Sequence, residues 1–259
     1  MAGPTPVDRS APRPVPDARP VPDARPAAAP RFRALPQARH WLLVGTLLCA
    51  AVIALGVAVQ LVPGDTRAEL GVDQDLSQHH SAALTAVAMG INVLFGPVVG
   101  LVLIGVVALF LWLVGRDLVK AVAFGLVACS GWVASEVFKL IIARQRPNPA
   151  LLVDPLSPET GSNSFPSGHV SFAVALAFAL YFLARGTRWS KVIAAAGAAL
   201  ALVVAWSRLY IGVHYPSDVA ASFLAASAAV VLLSGLWNRF GPRLVERLPS
   251  AVFLRSNRA

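Results

Sequence analysis

An all-α, polytopic membrane helix bundle with six transmembrane helices is the fold class this sequence predicts, on three observations. Of its 259 residues, 56% are hydrophobic and only 14% are charged, with a mean hydropathy of +0.65, far more apolar than a soluble domain of this length. Six apolar stretches approach the ~20 residues a helix needs to cross a ~30 Å hydrocarbon core. No strand-like alternation separates them, which argues against a β-barrel.

The elements follow in order. Residues 1–40 contain the tandem hexapeptide VPDARP, at 15–20 and 21–26, within a Pro, Ala and Arg mixture that has almost nothing to bury. They are expected to form a disordered cytoplasmic tail. A signal peptide is disfavoured, because the first apolar run begins only at Trp41 and exceeds an h-region of ~7–15 residues. The first span is 41–62. Residues 76–93, which include His79 and His80, read as an interfacial helix outside the bilayer that lines or flanks the lipid entrance. Spans at 95–114 and 121–142 follow, then shorter ones at 170–184 and 192–206 that must borrow flanking residues, then 219–237. The membrane domain is thus expected over 41–237, followed by a basic cytoplasmic tail over 238–259. Cys49 and Cys129 both fall inside spans, so neither a disulfide framework nor a thiolate metal site is indicated.

Lys and Arg resist translocation, so their placement predicts orientation. With the N-terminus cytoplasmic, inner segments hold Arg9, Arg13, Arg19, Arg25, Arg31, Arg33 and Arg39, then Arg116 and Lys120, then Arg185, Arg188 and Lys191, and finally Arg239, Arg243, Arg247, Arg255 and Arg258. Only Arg67, Lys139, Arg144, Arg146 and Arg208 remain outside, so 17 of the 22 cations are inner. The net charge of +9 is therefore mostly a topology signal, and no nucleic-acid partner is needed to explain it. Both termini are expected in the cytoplasm of a multi-pass plasma-membrane protein.

The same topology places three polar clusters on the outer face: KLIIARQRP at 139–147, PSGH at 166–169 and SRLYIGVHYPSD at 207–218. Lys139, Arg146 and Arg208 are cations near a membrane interior where charge is costly, with too few acids to match them, and they suggest an anionic ligand. Arg offers a planar fork for phosphate oxygens and Lys a compact point charge. Ser167 and Gly168 lie where a helix should begin, so its free N–H groups and positive dipole end point at the same place. Gly168 also allows close approach of a phosphate to the backbone. His214 and Asp218, four apart, allow a carboxylate to orient an imidazole and leave its other nitrogen free to attack. His169, from another helix, is placed to act as general acid.

These three clusters resemble the signature of the type 2 phosphatidic acid phosphatase (PAP2) superfamily, K-x6-RP, PSGH and SR-x5-H-x3-D, with every spacing intact. The resemblance covers about residues 60–237, with the signature at 139–218, and three ordered motifs together are far more specific than PSGH alone. It implies a bacterial membrane lipid phosphatase of the undecaprenyl-pyrophosphate phosphatase type. In it His214 would form a phosphohistidine, Asp218 would orient it, and His169 would serve as acid and then as base for water. Lys139, Arg146, Ser167, Gly168 and Arg208 would hold the phosphoryl oxygens. The resemblance implies no metal or other cofactor, and no carboxylate cluster suited to magnesium is apparent.

Simpler readings exist for each residue taken singly. Lys139 and Arg144 could anchor a helix end in headgroups, Glu136 could merely pair with Lys139, and Asp218 or Ser217 could merely cap a helix. Co-occurrence of three spacings on one face argues against that for the set. The expected substrate is a membrane lipid phosphate or pyrophosphate, with polyprenyl pyrophosphate favoured because an outward-facing site suits recycling of a cell-wall lipid carrier. Alternatives are phosphatidic acid, phosphatidylglycerol phosphate, or a non-catalytic lipid-phosphate binding or transport protein. A haloperoxidase-like reading of the motifs fails on the six spans. The sequence is silent on oligomeric state.

Overall fold

The computed structural model describes residues 1–3, 34–157 and 159–247. The VPDARP repeats and the basic tail beyond Arg247 lie outside the described residues. Eight α-helices are described: α1 Trp41–Leu61, α2 Pro63–Gln78, α3 Ala82–Leu94, α4 Pro97–Leu113, α5 Leu118–Ile142, α6 Gly168–Ala184, α7 Ser190–Ile211 and α8 Pro216–Glu246. A 3-10 turn, Pro149–Leu151, lies in the long α5–α6 connection, and no strand occurs among the described residues.

Each of the six apolar stretches becomes a helix, but not all are equal. α1, α5, α7 and α8 are each long and apolar enough to cross a membrane. α3 and α4 form a pair bent by 63° that counts as a fifth crossing if taken as one broken span. The break has a local cause: Pro97 has no N–H to continue a helix from α3 and is instead suited to the first turn of α4. The expected span at 95–114 therefore starts at Pro97, with Phe95 buried in the bend. α6 has only 17 residues, yet it is the central helix, packed on α5, α7 and α8 with Phe172, Ala173, Ala175 and Ala179 buried.

Helices α1 and α4 are apolar all round, and they leave Leu42, Leu43, Leu47, Leu101, Val102, Val106 and Phe110 exposed. A soluble protein would not leave so broad an apolar girdle uncovered, whereas acyl chains cover it at no cost. Three differences from expectation stand out. The single interfacial helix expected at 76–93 is two helices, because the chain leaves helical conformation at His79 and restarts where Ser81 caps α3, its hydroxyl accepting the Leu84 N–H. α8 runs to Glu246 rather than ending near Trp237; hydropathy marks where a helix leaves lipid, not where it stops. Finally, Leu35, which the sequence reading leaves in the tail, is tied to α8 by reciprocal 2.8 Å hydrogen bonds between its backbone and the Asn238 side chain.

Candidate active site

The C-terminal end of α5, the N-terminal ends of α6 and α8 and the C-terminal end of α7 converge at one end of the bundle, and with them all eight site residues expected from the motifs. Close packing sets this convergence. At Gly131 an added Cβ would lie 2.1 Å from the Ser171 carbonyl oxygen, so α5 and α6 touch backbone to backbone. At the end of α7, Gly212 takes a left-handed conformation (φ 75°) that turns the chain into α8. Ala143 does the same at the end of α5 (φ 50°), at some steric cost for a residue with a Cβ.

His214 is buried in the α7–α8 connection. Its Nδ1 lies 2.8 Å from the Ser164 carbonyl, which can only accept, so Nδ1 carries the proton and Nε2 the lone pair. Nε2 faces Arg146 Nη1 at 3.5 Å. Asp218 Oδ2 is 3.7 Å from Nδ1, so the direct partner of the ring is the Ser164 carbonyl, with the carboxylate just behind it. Burial, with Arg146 nearby, pushes the His214 pKa down to about 4 despite the opposing pull of Asp218. The imidazole is thus neutral at pH 7 and nucleophilic at Nε2.

Asp218 is wholly buried and fully engaged. It accepts from Arg144 Nη1 at 2.6 Å, from the Tyr215 N–H at 2.9 Å, and from the Ser164 hydroxyl. The Tyr215 bond caps α8, so the carboxylate that lies behind the His214 ring also serves as the helix cap. Arg144 is no headgroup anchor: it is buried, bonded through Nη2 to Glu69 on α2 at 2.6 Å and through Nη1 to Ser217 at 2.7 Å, and its guanidinium stacks 4.1 Å from the Tyr215 ring centroid. Burial opposes its charge, but Asp218 and Glu69 outweigh that and raise its pKa above the usual value.

Arg146 donates to the Val213 carbonyl at 3.1 Å and the Asn163 side chain at 2.8 Å, and pairs with Glu159 at 2.8 Å. Lys139 pairs with Glu136 at 2.7 Å, and its Nζ lies 3.5 Å from where a Cβ on Gly168 would stand. Ser167, the residue before α6, donates its N–H to Ser222 at 2.9 Å. Arg208 and His169 meet at Asn92 on α3: Arg208 Nη1 donates to its side-chain oxygen at 2.7 Å, and His169 Nε2 to its carbonyl at 3.1 Å. Two buried donors of these residues, the Ser167 hydroxyl and Arg208 Nη2, have no hydrogen-bond partner. An anion with several acceptor oxygens fits them. Among the described residues no group of three or more His, Cys, Asp or Glu is arranged to hold a metal ion.

Sequence reasoning missed Asn92, Asn163, Ser164, Glu69 and the true role of Arg144. Ser164 acts through a backbone carbonyl, which leaves no trace in residue type. Asn92, the lone amide in the apolar run AVAMGINVL, and Arg144, a third cation inside the first motif, were visible signals.

Comparison with known proteins bears on the family and the fold. The PAP2 superfamily profile matches residues 120–241, which contain all three motifs. The undecaprenyl-diphosphatase BcrC of Bacillus subtilis is 28% identical over 168 residues, covering 64% of this chain and 79% of that protein. The putative undecaprenyl-diphosphatase YbjG of Escherichia coli is 39% identical over 88 residues, or 34% of this chain and 42% of that protein. The undecaprenyl-diphosphatase of Sulfolobus acidocaldarius is 35% identical over 99 residues, 37% and 44% respectively; the chain spans less than half the length of these last two. Among solved structures, the transmembrane PAP2-type phosphatidylglycerolphosphate phosphatase from Bacillus subtilis superposes with a TM-score of 0.65 at 24% identity, over 75% of this chain and 96% of that one. Aquifex aeolicus LpxE superposes with a TM-score of 0.50 at 23% identity, over 63% and 93%. Residues 120–241 thus match the PAP2 superfamily, and the match, the relatives and the shared fold support a membrane phosphatase of that type.

Proposed function

We propose that this protein hydrolyses undecaprenyl diphosphate, or a closely similar polyprenyl diphosphate, at the outer face of the plasma membrane through a phosphohistidine. The observation that carries the chemistry is the state of His214: Nδ1 is committed to the Ser164 carbonyl, and the free Nε2 looks toward Arg146. Nε2 attacks the terminal phosphorus, the P–O bond to the lipid monophosphate breaks, and His169 protonates the departing oxygen. The His169 Nε2–H is held by the Asn92 carbonyl, so the ring enters the cycle as the imidazolium, Nδ1 gives the proton to the leaving oxygen, and the same nitrogen then takes one from water. Water, deprotonated by His169, then attacks phosphorus and breaks the P–N bond, releasing inorganic phosphate. Lys139, Arg146, Arg208, the Ser167 hydroxyl and the N–H groups around Gly168 hold the equatorial oxygens, whose electrostatic stabilisation supplies most of the acceleration.

Six crossings, by α1, the α3–α4 pair, α5, α6, α7 and α8, leave both termini in the cytoplasm. In support, the catalytic end of the bundle lies opposite Lys120, Arg185, Arg188 and Lys191, the cation-rich side expected inside. The preference for undecaprenyl diphosphate is supported by three relatives that carry that activity in their names.

Phosphate release by the purified protein in detergent with EDTA tests this reading, using undecaprenyl diphosphate, phosphatidic acid and phosphatidylglycerol phosphate. The diphosphate should be preferred by at least ~10-fold, and His214→Ala should lose on the order of 10³-fold or more. Residual turnover in the variant well above that overturns the nucleophile; preference for another lipid overturns the substrate.

A further inference from the structure

At the end of the bundle away from the catalytic residues, we propose a second lipid site, one that binds an anionic bilayer phospholipid. The proposal does not depend on the catalytic mechanism, only on the chain lying in a membrane.

A cavity of about 520 Å³ opens there. Its polar walls are Lys120 in the first turn of α5, Arg185 where α6 ends, and Thr187 in the α6–α7 connection; Leu35, Phe124 and Phe182 form apolar walls. Neither the Lys120 ammonium nor the Arg185 guanidinium has an acidic partner among the described residues. At the catalytic end, by contrast, Lys139 and Arg146 each already hold a carboxylate. Two unmatched cations around one recess set in apolar walls suit a single phosphate group held at the edge of lipid.

A second feature identifies the ligand as a lipid rather than a free anion. An apolar groove of about 550 Å³ runs along α6 and α7, between Leu180, Ile193, Ala196 and Leu200. Leu183 and Thr187 line both spaces, so the groove leads directly out of the cationic recess. Small residues make room for it: Gly197 sits so close to α6 that a Cβ there would stand 2.8 Å from the Ala177 Cβ, and Ala196 leaves the outer wall low. Trp189 lies at the mouth, with Arg188 5.1 Å from its ring centroid, an amphipathic pair of the kind found at headgroup depth. Recess and groove thus match a phosphodiester headgroup and the first part of an acyl chain. Counted along α5, Lys120 is about 28 Å from Lys139 at 1.5 Å per residue, so a lipid bound here does not compete with substrate.

Native mass spectrometry of the full-length, delipidated protein tests this, with phosphatidylglycerol titrated against phosphatidylcholine of the same chains. One phosphatidylglycerol should be retained at a concentration at least ~10-fold below that needed for phosphatidylcholine. The Lys120→Gln/Arg185→Gln pair should lose that difference, whereas Lys191→Gln/Arg243→Gln, cations on the same side of the bundle that line neither space, should keep it. Ala196→Trp should weaken long-chain but not dihexanoyl phosphatidylglycerol. Monodisperse elution of each variant establishes folding independently of catalysis. Equal retention of the two lipids overturns the proposal, as does equal loss in both double variants, which would mean general surface charge. Displacement by millimolar inorganic phosphate with no dependence on chain length would make it a free-anion site and overturn the lipid assignment.

Discussion

Arg144 holds the carboxylate that lies behind the His214 ring. It is one of three donors to a carboxylate that has no contact with water, and Glu69 holds its other nitrogen. Breaking such a buried pair from one side leaves the remaining charge uncompensated, which typically costs about 3–5 kcal/mol. Arg144→Met should therefore lower the thermal midpoint and kcat together while leaving KM nearly unchanged, read by a melting curve and steady-state kinetics on the same preparation; a large rise in KM alone would place Arg144 on the substrate instead. The pH profile belongs to the same scale. A basic group with a depressed pKa stays neutral until the pH falls to that value, so the His214 ring stays neutral down to about pH 4. The acid limb of kcat/KM that reports the free enzyme should lie well below 6.5, the ordinary histidine value. A limb centred near 6.5 would mean the ring is not desolvated. Motif spacing made eight candidate site residues legible, seven because the side chain carries a charge or a lone pair and Gly168 because it lets a ligand approach the backbone. What remained hidden acts through the backbone, as Ser164 does, or through a neutral amide, as Asn92 does, and no pattern of residue types reports a carbonyl.

Among the elements, the crossing of α5 and α6 controls the site. These helices bring Lys139 and the Ser167–His169 segment together, and their separation is limited by contact at Gly131. Since the obstructing atom is backbone, no rotamer change relieves it. Gly131→Val should destabilise the protein by about 1–3 kcal/mol and lower kcat/KM by splaying the phosphate ligands, checked by melting temperature and phosphate release; wild-type values for both would show that the helices are free to separate. The apolar helices were legible by length and composition. The polar helix α2 was not, because no hydropathy run announces it, yet it delivers Glu69 to Arg144. The restart at Ser81 was equally hidden, since it depends on a local side-chain cap.

For the molecule as a whole, orientation is the property to establish. In a background of Cys49→Ala and Cys129→Ala, a cysteine at Ser157, in the α5–α6 connection, should react with a membrane-impermeant maleimide in intact cells. One at Thr187, between α6 and α7, should react only after lysis. The opposite pattern would invert the bundle and put the catalytic end inside. The exposed apolar faces of α1 and α4 follow from the same embedding.

The pairing of Arg146 with Glu159 has a bearing on how the cycle turns. Because a carboxylate of the chain itself already pairs with that guanidinium, in the proposed cycle an arriving phosphate would trade places with one anion rather than neutralise a bare charge. Departure of inorganic phosphate would be the same trade in reverse, with Glu159 as a tethered competitor.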